Sequence, residues 1–125
     1  MAALVDTSVL IDYLRGHQGA GDLLEAERAA GALHASEMTR LELLVGMRPA
    51  EEEQTRLLLS TLRWQPVDGQ VAERAGELGR VWLPSYRGMD GSDLAIAATA
   101  ILLDVRLLTT NVRHFPMFAD LSRPY

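Results

Sequence analysis

Residues 2–16 read AALVDTSVLIDYLRG. AALV, ending at Asp6, has the character of a short buried strand. Ser8 to Arg15 then reads as a helix, with Thr7 or Ser8 as its cap and Gly16 as its stop. A strand that runs directly into a helix, with a carboxylate at the junction, is the building unit of an α/β fold.

The same alternation continues along the chain. After a glycine-rich bend (GHQGAG), Asp22 and Glu25 open a second helix that ends at Gly31. Residues 32–36 (ALHAS) form a candidate second strand, and Ser36 can cap a helix running to about Met47. Pro49 followed by Glu51, Glu52 and Glu53 marks a helix start, since proline suits the first helical position and acids suit the positive end of the dipole. That helix is expected to run to about Arg63. WQPVD predicts a third strand, placed at an edge by Pro66. Asp68 caps a helix with Val71, Ala75, Leu78 and Trp82 at helical spacing. After the loop YRGMDG, Ser92 or Asp93 opens a helix that is apolar almost all round, LAIAATAILL, and is therefore expected to be buried. RLLTT is a fourth strand, and Asn111 to Phe115 a short turn or helix stopped by Pro116. The pattern predicts an α/β sandwich with a short parallel sheet of about four to five strands between layers of helices.

The chain has 125 residues, nearly half of them apolar, which suits a single domain with one sizeable core. No apolar run approaches the length of a membrane span. The opening MAALVDTSV lacks the basic region of a signal peptide, so a soluble cytoplasmic protein is expected. There is no cysteine, which excludes disulfides and cysteine-bound zinc. The net charge is −5, and all 12 basic residues are arginine. The absence of lysine argues against a phosphate-binding P-loop, and against receiver domains and haloacid-dehalogenase-type phosphatases.

Three carboxylates stand in recognisable frames far apart in sequence: Asp6 in ALVDTSVLIDYL, Glu42 in MTRLELLVGM and Asp93 in MDGSDLAIAATA. Asn111 ends the fourth frame, LLTTNVRHF. Taken singly, each has an ordinary reading. Asp6 can cap a helix, Asp93 can favour a helix dipole, Glu42 can be a solvated charge and Asn111 a turn residue. Taken together, they lie beyond the carboxyl ends of strands or in helices that adjoin them, where open parallel sheets bind ligands. Several acids at one edge call for a cation, and oxygen ligands suit magnesium or manganese. For Glu42, the stripe Met38, Leu41, Leu44 and Val45 predicts the buried face of its helix. Glu42 falls roughly 40° from Met38, at the border of that stripe, with Thr39 and Gly46 as neighbours. Glu51 to Glu53 read as a solvated helix start, His17 and His34 show no ligand spacing, and Trp64 and Trp82 suit a core.

Together the frames VDTSVLIDYL, TRLELLVGMR, DLAIAATA and LLTTNVRHFPMF resemble, in order and spacing, the PIN-domain family. The resemblance is to its VapC-type toxin ribonucleases of bacterial type II toxin–antitoxin pairs, and it runs over the whole chain, making residues 1–125 a single PIN-like domain. It implies a metal-dependent endoribonuclease that hydrolyses RNA phosphodiester bonds, with tRNA or ribosomal RNA as substrate. It makes Asp6, Glu42 and Asp93 the catalytic, metal-binding acids, Asn111 a more variable fourth position, and Asp90 an assisting acid. Thr7 and Ser8 match hydroxyls that line the site. Many relatives carry an acid where His114 stands, which leaves the number of metals open. The implied partners are a cognate VapB-type antitoxin and a second toxin copy, with no membrane. Arg15, Arg40, Arg48, Arg87 and Arg113 are candidates for RNA phosphate contacts. Two other readings stay open: a PIN-like binding module without catalysis, and a magnesium-dependent phosphotransfer or receiver-type domain.

Overall fold

In the computed structural model, which describes residues 1–125, four strands form one parallel sheet in the order β3-β2-β1-β4. The strands are β1 (Ala3–Val5), β2 (Leu33–Ser36), β3 (Arg63–Gln65) and β4 (Arg106–Leu108). Helices α1 (Thr7–Leu14) and α2 (Gln18–Ala30) connect β1 to β2, while α3 (Glu37–Gly46) and α4 (Glu52–Leu59) connect β2 to β3. α5 (Gly69–Trp82) and α6 (Gly91–Leu103) lead from β3 to β4. Two single-turn 3-10 helices, Pro49–Glu51 and Val112–His114, precede α4 and follow β4. The fold is the expected three-layer sandwich with four strands, and β3 takes the edge position anticipated from Pro66.

Side chains on a strand alternate between faces, and the sheet is covered on both. Ala3, Val5, Leu33, Ala35 and Leu108 point into one core, against Leu10 of α1 and Leu24 of α2. Leu4 and Leu107 point into the other, against Ile96, Ala97 and Ala100 of α6 and the buried Phe115. α6 is buried from Leu94 to Ala100 because it lies between the sheet and α5, as its uniformly apolar sequence predicts. Its alanines permit this closeness on two sides.

The structure moves several expected boundaries. Asp6, rather than Thr7 or Ser8, is the N-cap of α1, and Asp90, rather than Ser92 or Asp93, is the N-cap of α6. α2 starts at Gln18, well before Asp22, because His17 Nδ1 accepts the Ala20 N–H and caps the helix inside the presumed bend. α4 stops at Leu59, short of Arg63. The buried face of α3 is not the stripe Met38, Leu41, Leu44, Val45. Leu41 is 56% exposed and Val45 79%, while Thr39 and Leu43 are buried. Hydropathy misses Thr39 because its hydroxyl is satisfied by Thr7 at 3.0 Å, so it can enter the core without an orphaned polar group.

α6 ends at Asp104, which has a left-handed backbone with φ 55°. Glycine occupies that region without the Cβ penalty. Asp104→Gly at this exposed position is expected to stabilise the fold by about 0.5–1 kcal/mol. Chemical denaturation measures this, and an unchanged or lowered midpoint contradicts it.

Candidate active site

β1, β2 and β4 end together at Val5, Ser36 and Leu108, and the chain segments leaving them build an open polar pocket of about 330 Å³. Asp6, Thr7, Ser8, Ile11 and Asp12 come from the start of α1. Glu42 comes from α3, Asp93 from α6, and Thr110 and Asn111 from the segment after β4. Ile11 is the one hydrophobic member. Two larger hollows, of about 700 and 800 Å³, are half or more hydrophobic and do not gather the acids.

Asp6 is 4% exposed, and its placement is over-determined. Its N–H donates to Leu108 O at 2.8 Å, which ties the end of β1 to the end of β4. Its Oδ2 accepts from Ser8 Oγ at 2.9 Å and from Thr109 Oγ1 at 2.7 Å. Those hydroxyls are held in turn, Ser8 Oγ by the Thr110 N–H (3.2 Å) and Thr109 Oγ1 by the Asn111 N–H (2.9 Å). Glu42, although exposed, is steered from below. Its Oε1 accepts from Thr7 Oγ1 at 2.6 Å. Thr7 Oγ1 is also the donor toward Thr39 Oγ1 at 3.0 Å, so its single proton is shared between Glu42 and Thr39.

Asp93 and Asp90 form a capping box at the start of α6. The Asp93 N–H donates to Asp90 Oδ1 at 2.9 Å, and the Asp90 N–H donates to Asp93 Oδ2 at 3.2 Å. His114 Nδ1 lies 3.2 Å from the same Oδ2. Burial pushes the Asp93 carboxyl up to about 6; the charges of Asp90 and Asp6 add to this, and the Asp90 N–H and His114 oppose it.

A pattern runs through the three acids. Each has one carboxylate oxygen engaged by protein donors, Oδ2 of Asp6, Oε1 of Glu42 and Oδ2 of Asp93. Each keeps its other oxygen outside those bonds, in residues that line one pocket. The donor set is all oxygen, which suits a hard divalent cation. As placed, the side chains do not close three ionisable groups around a single point. Magnesium tolerates such spacing, because it retains several waters and takes only one or two carboxylates directly. The residues therefore fit such an ion.

Of the residues singled out from sequence, Asp6, Thr7, Ser8, Glu42, Asp93 and Asn111 meet in this pocket. Asp90 stands outside its wall, occupied as a helix cap. None of the five arginines lines it. Arg40 lies over the Trp64 ring, 4.2 Å from its centroid, and pairs with Glu37 at 2.5 Å. Arg48 lies 3.9 Å from Glu51, and Arg15, Arg87 and Arg113 are exposed. The sequence reading missed Asp12 and the Thr109–Thr110 pair. Asp12 follows Ser8 by one helical turn, a spacing that could have revealed it. It is anchored by Tyr125, whose Oη donates to Asp12 Oδ2 at 2.6 Å and whose ring rests on His17.

A family model for the PIN domain matches residues 3–121. The chain is 46% identical to ribonuclease VapC19 of Mycobacterium tuberculosis over 123 residues, 98% of each chain. It is 43% identical to ribonuclease VapC10 of that organism over 122 residues, 98% of this chain and 92% of the relative. A solved toxin–antitoxin complex from Klebsiella pneumoniae contains a chain of 32% identity and TM-score 0.83, with 98% of both chains covered.

Because the folded Asp93 carboxyl holds its proton more tightly than the unfolded one, its ionisation costs stability as pH rises through about 6. In metal-free buffer at pH 7.5, Asp93→Asn should stabilise the protein by about 1 kcal/mol after allowance for solvent screening. The gain should fade below pH 4. Denaturation across that range tests it, and a variant weaker than wild type at pH 7.5 contradicts it.

Proposed function

The chain belongs to the PIN-domain family, and on that premise we propose that it is a VapC-type endoribonuclease, the toxin of a type II toxin–antitoxin pair. The observation that carries the proposal is the meeting of Asp6, Glu42 and Asp93 in one polar pocket, in a chain nearly half identical to ribonuclease VapC19. Asp6, Glu42 and Asp93 would hold magnesium or manganese through the oxygens left outside the protein's own hydrogen bonds. When bound, the ion supplies an activated water near neutral pH and offsets charge on the scissile phosphate.

The remaining contributions come from the protein. Ser8 and Thr109 hold Asp6 in one rotamer, and Thr7 does the same for Glu42. Such fixed first ligands carry little reorganisation cost at the moment of reaction. Asn111 presents an uncharged amide at the pocket wall, so it can donate to a phosphate oxygen without adding negative charge. The pocket is open, which suits a polymer strand passing across it. The exposed Arg15, Arg87 and Arg113 are available to neutralise phosphates farther from the cut.

The proposed partner is a small VapB-type antitoxin. A carboxylate-rich pocket is complementary to a guanidinium, so an antitoxin arginine would compete there with cation and substrate. Support comes from the Klebsiella pneumoniae chain, which was solved in a toxin–antitoxin complex. A toxin homodimer is proposed beneath that complex. The exposed Leu41 and Val45 leave α3 with an apolar flank beside Glu42 that a second chain would cover. No helix is long and apolar enough to cross a membrane.

Asp6→Asn keeps an oxygen for the Ser8 and Thr109 hydroxyls while removing the charge, so the fold should survive. RNA cleavage in magnesium buffer should fall at least about 100-fold. Chelation of wild-type protein should silence it, and magnesium or manganese should restore it. Cleavage by Asp6→Asn at the wild-type rate overturns the assignment. Co-expression with the neighbouring small antitoxin should yield a stable complex that suppresses cleavage, and recovery of free, active protein counts against that partner.

A further inference from the structure

On Asp93 one oxygen, Oδ2, is approached by two nitrogens of the protein. The Asp90 N–H donates to it at 3.2 Å, and His114 Nδ1 lies 3.2 Å from it as an ion-pair contact. We propose that His114 is a positioning residue that, by occupying the outer oxygen of Asp93, limits this acid to one metal-binding oxygen and so sets the pocket's preference for magnesium over calcium. The inference rests on the metal reading of the pocket given above.

The placement of His114 is not accidental to the fold. Val112–His114 forms a single 3-10 turn, and the His114 N–H donates to Asn111 O at 2.9 Å. The next residue, Phe115, is 1% exposed in the core under β1 and β4. The turn is thus pinned on one side by the pocket wall and on the other by the core, and the imidazole is held against Asp93. Gly88 is a neighbour of the ring, since a Cβ built on it would stand 3.8 Å from Nε2. An N–H at Nδ1 is present in the imidazolium and in one neutral tautomer, so the contact works in either charge state.

The consequence follows from coordination chemistry. Calcium takes six to eight oxygens and readily grips a carboxylate by both. Magnesium demands six shorter contacts in near-octahedral order, keeps its waters and is served by single oxygens. Asp6 is likewise restricted, because Ser8 and Thr109 fill Oδ2. With the outer oxygens of both aspartates occupied, the pocket offers a magnesium-like set. Removing the imidazole uncovers one side of Asp93 Oδ2, so that this oxygen can supply the further contact that calcium uses.

The test is calorimetric titration of the whole metal-free protein with magnesium, manganese and calcium chlorides. Wild type, His114→Ala, His114→Asn and Asp6→Asn are compared. In His114→Ala the ratio of magnesium to calcium affinity should fall about tenfold, with the change carried by tighter calcium binding. His114→Asn places an amide N–H near the position of Nδ1 and should restore the ratio. An unchanged ratio in His114→Ala overturns the proposal. So does an equal loss of both ions, which would make His114 a ligand itself, or a His114→Asn variant that behaves like alanine. If wild type and Asp6→Asn alike bind no divalent ion, the metal reading falls and this inference with it. Binding by wild type that is lost in Asp6→Asn isolates the question to His114. The 39% exposed His114 side chain makes these substitutions compatible with folding, which circular dichroism verifies.

Discussion

The constraint on which the pocket depends is the double hydroxyl clamp on one oxygen of Asp6. A buried carboxylate is costly unless polar partners replace its water. Here Ser8 and Thr109 supply them, and they come from opposite ends of the chain. Their own oxygens are then filled by backbone N–H groups of Thr110 and Asn111. The acid cannot change rotamer without breaking both bonds to Oδ2. The same linkage aligns the ends of β1 and β4, so the architecture of the sheet edge and the direction of the Asp6 carboxylate are one arrangement.

Around that fixed acid the pocket is electrostatically unrelaxed. Asp6, Asp12, Glu42 and Asp93 share one wall, and no arginine enters it. The Asp93 carboxyl is raised chiefly by its burial, with the charges of Asp90 and, less, Asp6 adding to it. Stability is given up at the pocket, a common relation between functional sites and the folds that carry them. The hydroxyl contacts keep the acids apart and oriented, so that the unrelieved charge is directed at a ligand rather than spread through the structure.

Much of the architecture was legible from residues because parallel sheets demand continuous apolar strands and their helices need polar caps. Ser36 and Asp68 cap α3 and α5 as their sequences announce, and LAIAATAILL is buried as its composition requires. The errors share a physical origin. His17 caps a helix through a ring nitrogen, a less common choice than serine or aspartate, so the start of α2 was hidden. Leu41 and Val45 look like core and Thr39 looks like surface, yet a satisfied hydroxyl went inside and two aliphatic residues stayed out. In the pocket, Asp6, Glu42 and Asp93 were readable because each sits in a motif. Asp12 was open to the one-turn spacing from Ser8 but carried no motif, whereas Thr109 and the approach of His114 to Asp93 depend on how distant segments dock, which spacing along one helix or strand does not encode.

The bond from Thr109 to Asp6 spans 103 positions of the chain. During synthesis the first strand and helix leave the ribosome long before β4 exists, and for that interval Asp6 lacks its Thr109 partner. Contacts of such separation form last, after the cost of closing the intervening chain has been met. A nascent or truncated polypeptide without β4 therefore carries the acids but lacks the Thr109 half of the clamp that fixes Asp6. The completed chain, with its final strand inserted beside the first, is therefore the earliest species in which the clamp on Asp6 is whole.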